Sequence, residues 1–578
     1  MKSHCNSRLL RHASGLLALL LCHPLLAQAG ELHHSLVVSI SPHDAGIEAV
    51  DTISLPAGRT GTLEFTLHPG LQPELQGDGA TLQRLPATSS PARAPDWAPA
   101  RYRVSLPPGQ QRLVLSYRGR IRHALEQQGE EYARSFHETR GMISAEGVYL
   151  AGASHWYPQF DAGLLTFDLE LQLPAGWKGM SQGMRTTHQE PGGGPERWRC
   201  MAPQEEIYLV AGPFTEYAST DDGMQAMVLL RRPDAALAQK YLDATHRYIA
   251  LYEQLIGPYP FGKFALVENF WETGYGMPSF TLLGPRVIRL PFILHSSYPH
   301  EILHNWWGNG VYVDYNGGNW SEGLTSYLAD HLVKEQQGRG ADYRRTTLQK
   351  YADYVGREKD FPLTAFRGRH SARTEAVGYG KTLMLFHMLR RQLGDTRFID
   401  GLQSLYRQYR FKTAGFPDLE RVFSATATQP LDGFFEQWVE RTGAPQLRAS
   451  RVEAQAVNGG YRLQAVIEQT QAGEPYEFEL PLAVTLEGRE QAWETVVRLT
   501  QRQETLQLEL PARPLQLDLD PAFDVFRRLH RSETPPAISQ AVGADRVLVV
   551  LPANAEPALQ TAYKALAEGW QQDRVGQV

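Results

Sequence analysis

The stretch "YPHEILHNWWGNGVYVDYNGGNWSEG", Tyr298 to Gly323, gathers two histidines, two glutamates and three tryptophans. On a helix, positions i and i+4 share one face. His300 and His304 can therefore chelate one ion, with Glu301 beside them on the open side. Pro299 suits a first helical turn, and Gly308 and Gly310 suit its end. Seventeen residues, Asn305 to Ser321, separate His304 from Glu322, which opens the helical stretch "SEGLTSYLADHL". A His-His-Glu set is a catalytic zinc arrangement: three protein ligands and a fourth place for water. Two neutral imidazoles and one carboxylate leave the ion net positive, which lowers the pKa of a bound water from 15.7 toward about 7. Glu301 is then placed to take that proton and deliver it to a leaving amine. The bland alternative is a surface helix carrying two solvated histidines.

Around this stretch the pattern is helical. "DAALAQKYLDATHRYIALYEQLIG" starts after Pro233 and ends at Gly257-Pro258, and helical spacing dominates to about Leu447. Before it, short alternating runs such as "SLVVSIS", "GTLEFTLH", "RYRVSLP" and "LTFDLELQLP" predict an all-β domain over 30–230. The Pro/Ala/Ser stretch "LPATSSPARAPDWAPA" reads as an exposed loop inside it. After "GAPQL" the alternation returns, and a β-sandwich over 448–526 is expected. The tail, 527–578, offers "RVLVVLP" as a strand and "ALQTAYKALAEGW" as a helix. The fold class is thus multidomain α+β: an N-terminal all-β domain, a mainly helical catalytic domain over 231–447, a C-terminal β-sandwich and a short β-α tail.

The chain has 578 residues, 42% hydrophobic and 21% charged, which suits several buried cores. "MKSHCNSRLLRH" followed by "ASGLLALLLCHPLLAQA" reads as a basic start, a short apolar run and a small-x-small end. Residues 1–29 are expected to be a cleaved signal peptide, making the protein exported, periplasmic or secreted. The run is too short, and too interrupted by His23 and Pro24, to span a bilayer. Its removal takes away Lys2, Arg8 and Arg11 and no acid, leaving a net charge near −9. That balance gives no electrostatic reason to bind nucleic acid or an anionic membrane. Of three cysteines, Cys5 and Cys22 leave with the signal, so Cys200 has no intrachain partner. Any metal must use His, Asp or Glu.

The motifs resemble those of the zinc aminopeptidase family, membrane alanyl aminopeptidase-like peptidases of the gluzincin clan. "HEILHNWWGN" is similar to that family's HExxH-x-W-x-G-N run and "NWSEGLTSY" to its W-x-x-E-G-x-x-x-Y run. "VGYGKTLMLFHML" resembles the motif whose tyrosine hydrogen-bonds the oxyanion, which maps to Tyr379 with Lys381 kept. "LYEQLIGPYPFGKFALVE" and "GVYLAGASHWYP" extend the likeness over most of 35–445. The resemblance implies a saddle-shaped β domain, a thermolysin-like catalytic domain, one zinc per chain on His300, His304 and Glu322, and a peptide or protein substrate. It implies Glu301 and Tyr379 as catalytic groups. Oligomeric state is left open.

Two departures stand out. The spacer before Glu322 is one residue shorter than the family's, with Asp314 as the fallback ligand. The family's G-x-M-E-N strand, whose glutamate binds the substrate's amino terminus, aligns with "GYGMPS". Gly276, Met277, Pro278 and Ser279 then contact substrate, but Pro278 stands where the glutamate would be. Glu272 or Glu268 could bind the amine instead, with Glu138 or Glu146 of the N-terminal domain as further candidates. Alternatives therefore remain: a peptidase indifferent to a free amino terminus, or a non-catalytic zinc-containing peptide-binding or scaffold protein. Trp306 and Trp307 read as packing residues, Cys200 as a small apolar residue, His33-His34 as an exposed terminus. His295, His370 and His387 lack ligand-like spacing.

Overall fold

The computed structural model describes residues 31–573 apart from 78, 87–97, 128–136, 162, 188–193, 357–359 and 545. The expected signal segment, 1–29, and most of the expected Pro/Ala/Ser loop lie outside the described residues. No helix among them is long and apolar enough to cross a membrane.

The N-terminal region is β-rich: one seven-stranded sheet and two four-stranded sheets. Its first strand, Leu32–Ser41, buries every second residue, as a strand with one face on a core must. It pairs in parallel with Leu165–Gln172 and antiparallel with Gly46–Ser54. The same alternation corrects the expectation for His34. The strand turns this residue fully inward, and its Nδ1 lies 2.7 Å from Oδ2 of buried Asp51.

A five-stranded sheet follows, in the order Thr215–Asp221, Met224–Leu230, Lys263–Glu268, Phe280–Leu283, Gly274–Met277. Its first two strands fall in the segment that periodicity groups with the N-terminal domain. Alternation reports a strand but not which sheet it joins. One face of this sheet, with Met227, Leu229, Ala265, Val267, Phe280 and Leu282, belongs to the N-terminal core. The other, with Ala226, Val228, Leu230, Phe264 and Leu266, packs with the helix Ala235–Leu255. Burial on both faces explains why these strands read as continuous apolar runs. Separating the regions would expose such side chains at roughly 1.5–3 kcal/mol each. The strand Gly274–Met277 forms one edge of the sheet.

Helices then dominate to Glu440. Two three-stranded sheets over 447–519 form the C-terminal sandwich. The chain after the last strand, Pro514–Leu519, returns to the helical region and buries Val525 and Phe526 there. The tail departs from expectation. "RVLVVLP" forms no strand among the described residues, and Leu548 and Val550 are 89% and 82% exposed. A lone strand has no ladder to join, and the described tail is helical instead, with a short helix at Ile538–Gly543 and a longer one at Pro557–Asp573.

Candidate metal centre

The helix Ser297–Leu303 has one apolar and one polar face. Tyr298, Ile302 and Leu303 are fully buried. His300, Glu301 and, at the C-cap, His304 look the other way. The next turn is built from tryptophans: Trp306 Nε1 donates to Gly257 O at 3.0 Å, and Trp320 Nε1 donates to Ala414 O at 2.7 Å. Trp306, Trp307 and Trp320 are completely buried. They anchor the loop that delivers Glu322 to the first turn of the helix Ser321–Ser326, where Asn319 Oδ1 accepts from Ser321 N at 3.2 Å.

His300 Nε2 and His304 Nε2 each lie 3.5 Å from Glu322 Oε2. Ligands at 2.0–2.2 Å from a tetrahedral zinc would be about 3.3–3.5 Å apart, so the set fits that ion. It is also the cluster of His, Cys, Asp or Glu close enough to share an ion among the described residues. Asp314 is instead the N-cap of a neighbouring turn, accepting from Asn316 N at 3.1 Å.

The outer contacts fix the tautomers. His300 Nδ1 lies 2.9 Å from Asp330 Oδ2, and His304 Nδ1 lies 3.0 Å from Trp307 O. Each Nδ1–H donates, so each Nε2 offers its lone pair to the common point. Burial pulls His300 down, but Asp330 and Glu322 outweigh it and hold the imidazole well above its usual pKa. His304 is raised against burial chiefly by Glu322, and Glu322 is pulled down against burial by both histidines. Such a field stabilises positive charge at this point.

Asp330 was not legible as a site residue. It sits on a π-helical turn, Tyr327–His331, in which the other four residues are buried. Tyr379 sits on a second π turn, Ala376–Lys381. Its ring stacks 6.5 Å from that of His300, and burial, with Glu322 adding to it, raises the phenol's pKa. Paired π turns at one site suit a functional centre. Lys381 is buried and donates to Arg441 O at 2.6 Å, tying the second turn to the end of the helical region.

Glu301 faces a cleft of about 630 Å3 lined also by Glu138, Thr273, Gly274, Tyr275, Asp330 and Tyr379. Burial raises its pKa while His300 and His304 oppose. Gly276 of the edge strand lies directly against it: a Cβ there would be 2.4 Å from Glu301 Oε2.

The other proposed substrate contacts are placed differently. Met277 is buried, and Pro278-Ser279 form a two-residue turn between Met277 and Phe280. Ser279 adopts φ 68°, a left-handed conformation, and is buried. Lys263 Nζ donates to its Oγ at 2.9 Å and Asn305 Oδ1 accepts from its N at 2.7 Å. Glu272 is bonded to Arg286 at 2.9 Å and Glu268 to Arg289 at 2.7 Å. Neither lines the cleft. Burial pushes the Cys200 thiol up to about 12, which suits packing and not nucleophilic chemistry.

Residues 295–438 match the model of the Peptidase family M1 domain. The chain is 23% identical over 282 residues to aminopeptidase N of Lactococcus lactis subsp. lactis, covering 43% of this chain and 32% of that protein. It is 24% identical over 324 residues to aminopeptidase RNPEPL1 of Homo sapiens, covering 50% and 43%. The chain thus spans less than half the length of these curated relatives. The M1 zinc metallopeptidase from Deinococcus radiodurans shares the fold, with TM-score 0.55 at 18% identity over 72% of this chain and 95% of that one.

Proposed function

We propose that this chain is a peptidase of the zinc aminopeptidase family, which its match to the Peptidase family M1 domain supports, and that it hydrolyses peptides with one zinc per chain, held by His300, His304 and Glu322. The observation that carries the reading is the meeting of three ligand atoms beside Glu301, with Nε2–Oε2 distances of 3.5 Å. When bound, zinc would supply the Lewis acidity that makes water nucleophilic near neutral pH. Glu301 accepts the proton of the attacking water and passes it to the departing amine nitrogen, so the group ends each turnover as a carboxylate. The Tyr379 hydroxyl donates to the oxygen on which negative charge develops. Asp330 and Trp307 O hold the imidazoles in register. The edge strand, by the alternation of an antiparallel pair, turns the N–H and C=O of Gly276 outward, where an extended substrate can pair with them.

An aminopeptidase is the specific activity we favour. Pro278 in a buried turn supplies no anion for a substrate ammonium, which keeps a peptidase indifferent to free amino termini as the second reading. We also propose export, on the pattern of residues 1–29.

The test is turnover of a peptide library by zinc-loaded residues 30–578, with free and acetylated amino termini side by side. Glu301→Gln should retain zinc and lose nearly all turnover. A variant as active as the parent would overturn the proposed chemistry. Faster cleavage of free termini selects aminopeptidase action, and equal cleavage selects the second reading. Detection of an uncleaved chain in the cytoplasm would overturn export.

A further inference from the structure

The sandwich-side segment that follows Leu519 reaches into the helical region with a buried carboxylate, Asp524. Its Oδ1 lies 2.8 Å from Nη2 of Arg344 and 2.9 Å from Nε2 of His387. These two partners lead to opposite ends of the π turn Tyr327–His331. Arg344 Nη1 donates to His331 Nε2 at 2.8 Å. His387 Nδ1 lies 3.2 Å from the Tyr327 hydroxyl. Within the turn, the rings of Tyr327 and His331 stack at 5.0 Å. Asp524 is therefore linked, through one intermediary on each side, to the first and last residues of the turn.

The segment that presents Asp524 is itself fixed. Asp520 and Phe523 both take left-handed backbone, with φ 51° and 57°. Asp520 Oδ1 accepts from Asp524 N at 2.6 Å, and its other oxygen accepts from Arg527 Nε at 2.8 Å. Arg344 adds donations to Ala522 O at 2.9 Å and Phe523 O at 3.1 Å. Most groups in this chain of contacts are buried. Breaking one link leaves a desolvated polar group unpaired, so the arrangement has few alternatives.

The π turn has one residue that faces the cleft, Asp330. Its carboxylate is the partner of His300 Nδ1 at 2.9 Å. A π turn carries one more residue per turn than an α-helix would, so its register decides where Asp330 points. We infer that Asp524, through Arg344 and His331 on one side and His387 and Tyr327 on the other, positions the π turn so that Asp330 orients the metal-binding imidazole of His300. The segment after the sandwich then contributes to the metal centre without touching it. These are positioning residues. The neutral state of His331 fits the role: its Nε2 must accept the Arg344 N–H, and burial, aided by His387 and Arg344, pushes its pKa down to about 2.

The inference rests on the assignment of zinc to His300, His304 and Glu322, and the test separates the two. Zinc affinity is measured by chelator competition on the folded full chain, and the visible spectrum of the cobalt-substituted protein reports ligand geometry. His331→Phe keeps an aromatic ring against Tyr327 but removes the acceptor. It should weaken zinc about 10-fold, the low end for loss of an outer-shell partner, and shift the cobalt spectrum. His331→Gln, whose amide oxygen can accept from Arg344, should recover most of both. In an Asp330→Asn background the His331→Phe effect should largely vanish, because residues acting through one another are not additive. Full additivity, or an unchanged spectrum in folded His331→Phe, overturns the inference. If His304→Ala also leaves zinc affinity unchanged, the ligand assignment has failed instead.

Discussion

Gly276 and Glu301 touch: the site where a Cβ would stand on Gly276 is 2.4 Å from Oε2 of Glu301 and 3.3 Å from Cδ2 of His304. Any side chain at this position would crowd the Glu301 carboxylate. Gly276 has no left-handed backbone to defend, so Ala suits the strand; the Glu301 carboxylate must move away, while the His304 ring need give only slightly.

Gly276→Ala is therefore expected to push Glu301 off the proton-transfer position while leaving fold and metal in place. Positioned general base catalysis contributes about 10²–10⁴ in rate, so kcat should fall by a comparable factor. Metal content and thermal unfolding should stay near the parent. A variant with normal kcat would show that Glu301 needs no such close seat.

Asp330→Asn tests the outer contact to His300. The amide can still accept from Nδ1–H but carries no charge to stabilise the imidazole–metal pair. Loss of such partners costs about 10–100-fold in metal affinity or activity. Chelator competition should show zinc retention falling in that range, with secondary structure unchanged. Parent-like affinity would make Asp330 a bystander.

These groups differ in how far the sequence pattern points to them. His300 and His304 follow from the i, i+4 spacing, and Glu322 from the Trp- and Gly-rich loop that precedes a second helix. Asp330 did not follow, because eight positions beyond Glu322 an ideal α-helix has turned about 80° from its face. The π turn at Tyr327–His331 alters that register, and pattern reading has no signal for it. Glu268 and Glu272 looked available because their partners, Arg289 and Arg286, lie on a short 3-10 turn and its N-cap, whose position the sequence does not reveal. The grouping into β-rich, helical and β-sandwich regions was legible from periodicity. The missing tail strand was not, since "RVLVVLP" has the composition of a strand but no partner edge.

Three histidines of the N-terminal region predict acid sensitivity there. Gly70 N donates to His68 Nδ1 at 3.0 Å, which needs that nitrogen unprotonated. The rings of His68 and His123 are 5.1 Å apart. Burial, then His123 and His155, lowers His68 to about 4. Burial and Arg140 lower His123 and His155 as well. With pKa depressed on folding, the unfolded chain binds more protons between about pH 4 and the ordinary histidine value near 6.5. Stability from this cluster is thus present above 6.5 and lost as pH falls toward 4. Urea midpoints should drop over that window, and His68→Gln should flatten the drop. A midpoint independent of pH from 7 to 5 would count against it. The groups are partly exposed, so solvent screening keeps the effect modest.

The final expectation concerns Tyr379, whose phenol feels the Glu322 carboxylate and whose ring lies 6.5 Å from that of His300. Two roles are compatible with that position. If the hydroxyl serves to hold the Glu322 ligand, Tyr379→Phe should loosen the metal. If it serves the developing oxyanion, zinc should stay and kcat should fall by about 10²–10³, the loss typical of one oxyanion donor. Glu322 also lies 3.5 Å from both histidine nitrogens, and a bound cation would draw it inward with or without the phenol. The second outcome is therefore expected, with KM little changed because the interaction arises only as charge develops. Burial raises the phenol's pKa well above its usual value, with Glu322 adding to it, so it remains a donor throughout the working range. Zinc content, kcat and KM of the one variant decide between the roles.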